Sequence, residues 1–98
     1  TPIVCNSKTK NFAALCRLGD AVLTGVGQPH LITATMVKPR AIVIDAGFAF
    51  ENKKARGDVD VAGVARVARA VTPTPGGVGP VTVAKLLFNT VRAAELKK

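Results

Sequence analysis

Thr72-Pro73-Thr74-Pro75-Gly76-Gly77-Val78-Gly79-Pro80 packs three prolines and three glycines into nine residues, between two apolar runs. A flexible linker would carry more serine and other polar residues, and it would not lead straight into a strong helical pattern. Proline fixes φ, and glycine lets a backbone approach without a Cβ. Together they make a defined loop running from a strand into a helix. Its N–H groups could face a planar ligand at the helix N-terminus; a rigid connection without a ligand satisfies the same composition.

Downstream of this loop, Val83, Leu86, Leu87, Thr90, Val91 and Ala94 recur at helical spacing and predict a helix over 80–96. Pro80 suits its first turn, and Lys97 and Lys98 suit the negative end of its dipole. Upstream, Pro2-Ile3-Val4-Cys5 reads as a short strand. Residues 9–19 read as a helix capped by Thr9 and ended by Gly19, with Phe12, Leu15 and Cys16 on one face. Residues 20–27 form a strand that breaks into glycines, and residues 33–39 a single helical turn capped by Thr33 and stopped by Pro39. Ala41-Ile42-Val43-Ile44-Asp45 is the clearest strand, an unbroken apolar run that predicts burial on both faces. Residues 50–57 are polar and read as a surface loop. A helix is expected from Asp60, with Val61, Val64, Ala65 and Ala68 inward and Arg66 and Arg69 outward, followed by a short strand, Ala70-Val71-Thr72. This alternation predicts a three-layer α/β fold with a parallel sheet, whose ligands bind at the carboxyl ends of the strands.

The composition agrees with one domain. The chain has 98 residues, 48% of them hydrophobic and 20% charged, which is too apolar for disorder. The longest uncharged run, residues 21–37, has Gln28, Pro29 and His30 near its middle and makes a poor membrane span. No leader peptide is visible, and the first residue is Thr1 rather than Met, which fits a fragment or a processed product. Cys5 and Cys16 fit two buried free thiols in a reducing compartment, the cytoplasm or a mitochondrion. With one histidine and no C-x-x-C, a zinc site is not expected. The net charge of +8 favours phosphate-bearing partners. The cations are scattered, however, and four Phe without Trp or Tyr leave little for base stacking, so a solvated basic surface is favoured over a nucleic-acid surface.

Three further spots lie where a ligand would be expected. Gly25-Val26-Gly27 is a partial G-x-G-x-x-G in which His30 stands at the third glycine. Asp45 closes the clearest strand and could accept from a ribose or from backbone N–H groups. Ser7, Lys8 and Thr9 offer hydroxyls and a cation suited to a ribose phosphate, or an ordinary N-cap.

Residues 72–91, TPTPGGVGPVTVAKLLFNTV, closely resemble the motif near the C-terminus of methylenetetrahydrofolate dehydrogenase/cyclohydrolase enzymes. VCNSKT (residues 4–9), VGQPHLITATMVKPRAIVIDAG (26–47) and GDVD (57–60) resemble further stretches of that family in the right order. The resemblance covers essentially the whole chain. It implies a Rossmann-like, three-layer parallel sheet that is incomplete: the first strand and its glycine-rich turn are absent. The implied unit is a partial NAD(P)-binding domain over residues 1–98. The family's N-terminal folate-binding domain carries a catalytic tyrosine and a lysine four residues later; this chain contains no Tyr at all.

The resemblance further implies roles for single residues. Ser7 matches the serine assigned to the cofactor's ribose phosphate, and Gly27 stands in the cofactor-side turn. Gly47 and Phe48 match a pair whose backbone lies by the cofactor. Pro75, Gly76, Gly77, Val78 and Gly79 match the loop that contacts folate beside the nicotinamide. No catalytic or metal-binding residue is implied. Two departures stand out: Asn6 replaces a common histidine, and Gly47-Phe48-Ala49-Phe50 replaces glycine-isoleucine-asparagine-arginine. The cofactor expected is NADP, or NAD. The expected function is the cofactor-binding part of an enzyme that oxidises methylenetetrahydrofolate and hydrolyses the methenyl product, inactive as this chain alone. Its expected partners are the folate substrate, the catalytic domain or a chain supplying it, and a second copy in a homodimer, with no membrane. Two other classes stay open: a catalytically dead relative serving as a structural subunit, and a basic nucleic-acid-binding module.

Overall fold

A computed structural model describes residues 1–97; Lys98, one of the two lysines assigned to the final dipole, lies outside the described residues. Three parallel strands order the fold: β1 (Ala21–Thr24), β2 (Ile42–Asp45) and β5 (Ala70–Val71). They run β1-β2-β5, with Val22 opposite Val43 and Val43 opposite Val71. Side chains alternate across a strand, so this register puts Val22, Val43 and Val71 on one face, with Thr24 and Asp45 following them. That face is the core. Val43 and Val64 are fully buried, and Val37, Ala41 and Val59 close around them. Ile32 joins them through reciprocal backbone bonds, Ile32 N–H to the Asp58 carbonyl and Asp60 N–H to the Ile32 carbonyl, each 2.9 Å.

The other face carries Ala21, Leu23 and Ile42, all exposed, and Ile44, half-buried. β2 is therefore buried on one face, not on both as its apolar run predicts. The parallel α/β architecture is the expected one, and the second face is where it is incomplete.

Several elements differ from their sequence-based expectation, each for a local reason. Residues 2–5 form no strand; neither edge of that segment has a ladder partner, and Ile3 and Val4 stand exposed. The first helix, α1 (Phe12–Leu18), starts at Asn11 rather than Thr9. Thr9 instead accepts the Asn6 N–H at 2.8 Å, closing the turn before the helix. Gly19 ends α1 as expected, its N–H donating to the Cys16 carbonyl. Thr33 precedes a single 3-10 turn, Ala34–Met36.

The polar stretch after β2 is an antiparallel hairpin, β3 (Ala49–Glu51) and β4 (Lys54–Arg56). Its turn residues Asn52 and Lys53 both have positive φ, 52° and 64°, the pattern of a two-residue hairpin turn. The helix expected from Asp60 is short: α2 spans Val61–Val64, and Ala65 is exposed rather than inward.

The last helix, α3, spans Val78–Leu96, beginning two residues before the expected start. Its apolar side chains do not pack: Leu86, Leu87 and Phe88 are 64%, 65% and 60% exposed. The helix stands off the sheet, and the radius of gyration is 15.4 Å, against about 13 Å for a compact domain of this length.

Burial thus divides the hydrophobic residues into two sets. In the 98-residue chain, Val43→Ala should cost about 2 kcal/mol in urea unfolding, and Leu87→Ala less than about 0.5 kcal/mol. Equal losses at the two positions would mean that α3 packs against the sheet.

Candidate functional site

Because β1, β2 and β5 are parallel, their carboxyl ends lie at one edge of the sheet, and the loops leaving them meet there. Two buried carboxylates hold those loops. Asp45, at the end of β2, is 2% exposed. Its Oδ1 accepts the N–H groups of Gly47 (2.9 Å) and Asp58 (3.1 Å), and its Oδ2 accepts that of Val59 at 3.0 Å. Its own N–H donates to Thr72 Oγ1 at 2.9 Å, which ties β2 to the start of the proline-glycine loop. Asp45 thus takes the backbone role among the two open to it, with three backbone N–H groups on its two oxygens.

Asp58 is wholly inaccessible. Its Oδ2 accepts Thr24 Oγ1–H (2.6 Å) and Val26 N–H (2.8 Å), and its Oδ1 accepts Gly27 N–H (2.8 Å) and Gln28 N–H (3.0 Å). Burial pushes the Asp58 carboxyl up, but the hydrogen bonds from Thr24, Val26, Gln28 and Gly27 outweigh it, and the net shift is downward. Two glycines make room for the pair. A Cβ at Gly47 would collide with the Asp58 carboxylate, and one at Gly57 with that of Asp45.

In front of this brace lies an open cleft of about 450 Å³, lined by Ala46, Gly47, Phe48 and the loop from Pro73 to Pro80. Phe48 meets Phe50 edge to face, with ring centroids 5.2 Å apart and planes at 86°. Among the described residues Asp45 is the only titratable one lining the cleft, and both its oxygens are engaged by backbone. The lining can hold and orient an apolar planar group; it offers no general acid or base of its own.

Of the sequence-predicted site residues, Gly47, Phe48, Pro75, Gly76, Gly77, Val78 and Gly79 come together on this one cleft. Gly27 (φ 86°) lies beside it, where a Cβ would sit 3.4 Å from the Phe48 carbonyl oxygen. Ser7 stands apart, exposed in the turn that Asn6 and Thr9 close and outside the lining of the cleft. The loop's glycines are not equivalent. Gly76 (φ 94°) and Gly79 face open space, whereas a Cβ at Gly77 would strike the Pro73 carbonyl oxygen. Gly77 is therefore demanded by the loop's own closure. Asp58 escaped the sequence reading as an individual residue. Its only signal is one of two acids in Gly57-Asp58-Val59-Asp60, and its partners lie about thirty residues away, as with Gln28, at a separation of 30.

A second groove, of about 540 Å³, runs between residues 1–5 and β1, floored by Phe12, Cys16 and Leu18. β1 pairs only with β2, so its backbone edge along this groove has no ladder partner. Both cysteines are free, and burial is the first cause that raises the Cys16 thiol above its ordinary value. Among the described residues no three His, Cys, Asp or Glu side chains gather as metal ligands, and no helix is long and apolar enough to cross a membrane.

A family model described as tetrahydrofolate dehydrogenase/cyclohydrolase, NAD(P)-binding domain, matches residues 1–98. The bifunctional protein FolD of Acetivibrio thermocellus is 48% identical over 98 residues, covering 99% of this chain and 34% of the relative. The crystal structure of the bifunctional enzyme FolD, methylenetetrahydrofolate dehydrogenase/cyclohydrolase, from Campylobacter jejuni superimposes with a TM-score of 0.91 at 40% identity, covering 98% of this chain and 34% of that one. The methylenetetrahydrofolate dehydrogenase-cyclohydrolase of Trypanosoma brucei, solved with NADP cofactor and inhibitor, gives a TM-score of 0.75 at 40% identity, covering 81% of this chain and 29% of that one. The chain spans about a third of the length of the relatives it matches.

The depressed Asp58 carboxyl has a consequence for stability. Its contribution is complete above the ordinary carboxylate value of about 4 and is lost as pH falls through the lower folded value. Asp58→Asn should cost about 3 kcal/mol at pH 7, because it turns an amide N–H₂ toward donors already in place. It should also flatten the acid limb of a stability-against-pH curve. An unchanged acid limb would show that another carboxylate dominates acid unfolding.

Proposed function

This chain belongs to the NAD(P)-binding-domain family of tetrahydrofolate dehydrogenase/cyclohydrolases, and we propose from that premise that it forms the cofactor half of a folate one-carbon site. In the full-length polypeptide that site oxidises methylenetetrahydrofolate with NADP, or NAD, and hydrolyses the methenyl product. One observation carries the reading. The residues matched to the cofactor, Gly47 and Phe48, and those matched to folate, Pro75 to Gly79, line a single apolar cleft.

The residues present fit a nicotinamide. The cleft is open, about 450 Å³ in volume, and lined by Gly47, Phe48 and the glycines of the proline-glycine loop. When bound, the cofactor supplies the hydride acceptor. Gly47 and Phe48 would hold the cofactor and Pro75 to Gly79 the folate, so that this chain would contribute catalysis by positioning. Gly27 borders the same cleft, and Ser7, in a turn that stands apart from it, is assigned to the cofactor's ribose phosphate. Proton transfer falls to groups outside this chain, in keeping with a cleft whose lining carboxylate, Asp45, is held by three backbone N–H groups.

The reading also needs a partner for the sheet. The bare edge of β1, the groove beside it and the exposed Ile3 and Val4 call for an additional strand, from the same polypeptide or another, that would pair with β1 and cover apolar surface. We assign that strand, and the folate-binding catalytic domain, to further polypeptide, and a homodimer to the full-length form. A structural subunit without activity is the second reading. The aromatic pair Phe48–Phe50, where the family pattern has isoleucine and arginine, favours it.

The two readings separate in one assay, methylenetetrahydrofolate-dependent NADP reduction by the full-length polypeptide. Turnover supports the enzyme; tight NADP binding without turnover supports the structural subunit. Gly79→Ala is the probe of the folate wall, since its Cβ meets no protein atom within 4 Å. It should lower kcat/KM about tenfold, or about 1.4 kcal/mol, with an unchanged unfolding midpoint. Full activity in this variant would remove the loop from the site.

A further inference from the structure

The turn after β1 invites comparison with a phosphate-binding loop, because successive N–H groups converge in it on an anion. Here the anion is already present: the Asp58 carboxylate takes the N–H groups of Val26, Gly27 and Gln28 at 2.8–3.0 Å, together with the Thr24 hydroxyl. Asp58 is completely inaccessible, so a ligand cannot displace it without opening the fold. A trans peptide is planar, and its N–H points opposite to the carbonyl of the preceding residue. Three N–H groups turned inward therefore turn three carbonyl oxygens, of Gly25, Val26 and Gly27, outward. Among the described residues no hydrogen bond reaches any of these oxygens, and all three residues are exposed. Gly27 stands next to the cleft, where it approaches the Phe48 carbonyl; Gly25 and Val26 line the groove beside β1.

We propose that Asp58 is a positioning residue that fills, with its own carboxylate, the anion site of the Gly25–Gln28 turn, so that this turn meets the cofactor as a row of hydrogen-bond acceptors and not as a phosphate cradle. This rests on the NAD(P) reading of the domain. The groups such a row recognises are donors: the carboxamide N–H₂ of the nicotinamide or a ribose hydroxyl. The phosphates bind elsewhere.

Labelled full-length protein tests this by NMR. Inorganic pyrophosphate should leave the amide signals of Val26, Gly27 and Gln28 in place, and NADP should shift the carbonyl carbons of Gly25, Val26 or Gly27. Replacing NADP by its 3-acetylpyridine analogue, which lacks the amide donors, or by an analogue lacking one nicotinamide-ribose hydroxyl, identifies the donor; the one that matters should bind about tenfold more weakly. Asp58→Ala opens the anion site, so its NADP affinity should fall about tenfold and recover on addition of formate, a recovery that a general loss of packing would not give. Saturable shifts of the three amides with pyrophosphate overturn the proposal, as does NADP binding that moves Gly47 and Phe48 but none of the three carbonyls. If NADP moves no signal in the protein, the cofactor reading falls and this proposal falls with it. If Asp58→Ala fails to fold, the ligand arms on the unmodified protein still decide the question.

Discussion

A carboxylate taken out of water must be met by donors on nearly all its lone pairs, or it will protonate. Asp45 and Asp58 satisfy that demand almost wholly with backbone N–H groups, and those N–H groups belong to the loops at the strand ends. The dependence runs both ways. Without the loops the charges could not be buried, and without the charges the N–H groups of residues 26–28, 47, 58 and 59 would lose their partners. Among the described residues no buried side-chain nitrogen or oxygen lacks a partner. The glycines at 47 and 57 are part of the same constraint, since each makes room for the carboxylate of the other segment.

The hydrophobic surface has a different logic. A core on one face of a three-stranded sheet buries few large side chains, and a domain of this size has little surplus from burial. Leu23, Ile42 and the apolar residues of α3 remain in contact with solvent. Exposed apolar side chains beside an unpaired strand edge are characteristic of a unit that is covered in its working assembly. The cleft sits on the part that is self-sufficient, braced by hydrogen bonds internal to the described residues.

The parallel strands were legible because Ala21–Thr24 and Ile42–Asp45 are β-branched or apolar and end in turn residues. The proline-glycine loop was legible because its composition permits few conformations. The hairpin was missed because its turn uses Asn52-Lys53, and lysine carries no signal for positive φ. Pro2–Cys5 reads as a strand by composition, but a strand exists only with a neighbour, and neighbours are not written in local sequence. The faces of α3 were correct as a helical period and silent about what covers them. At the site, resemblance gathered Gly47, Phe48 and Pro75–Gly79, which the cleft brings together. The brace of Asp58 is invisible there, since nothing in Gly57-Asp58-Val59-Asp60 tells its two acids apart or discloses three N–H groups some thirty residues earlier.

That separation also orders events in time. The Thr24 hydroxyl bonds to Asp58 across 34 residues, and such long-range closures come late because the intervening chain must first be restrained. During synthesis the turn after β1 leaves the ribosome well before Asp58 does. It must wait, unshaped, until β2 and the β3–β4 hairpin have brought Asp58 back to it. The shape of this turn is thus acquired only once the chain has been extended 34 residues beyond Thr24, to Asp58.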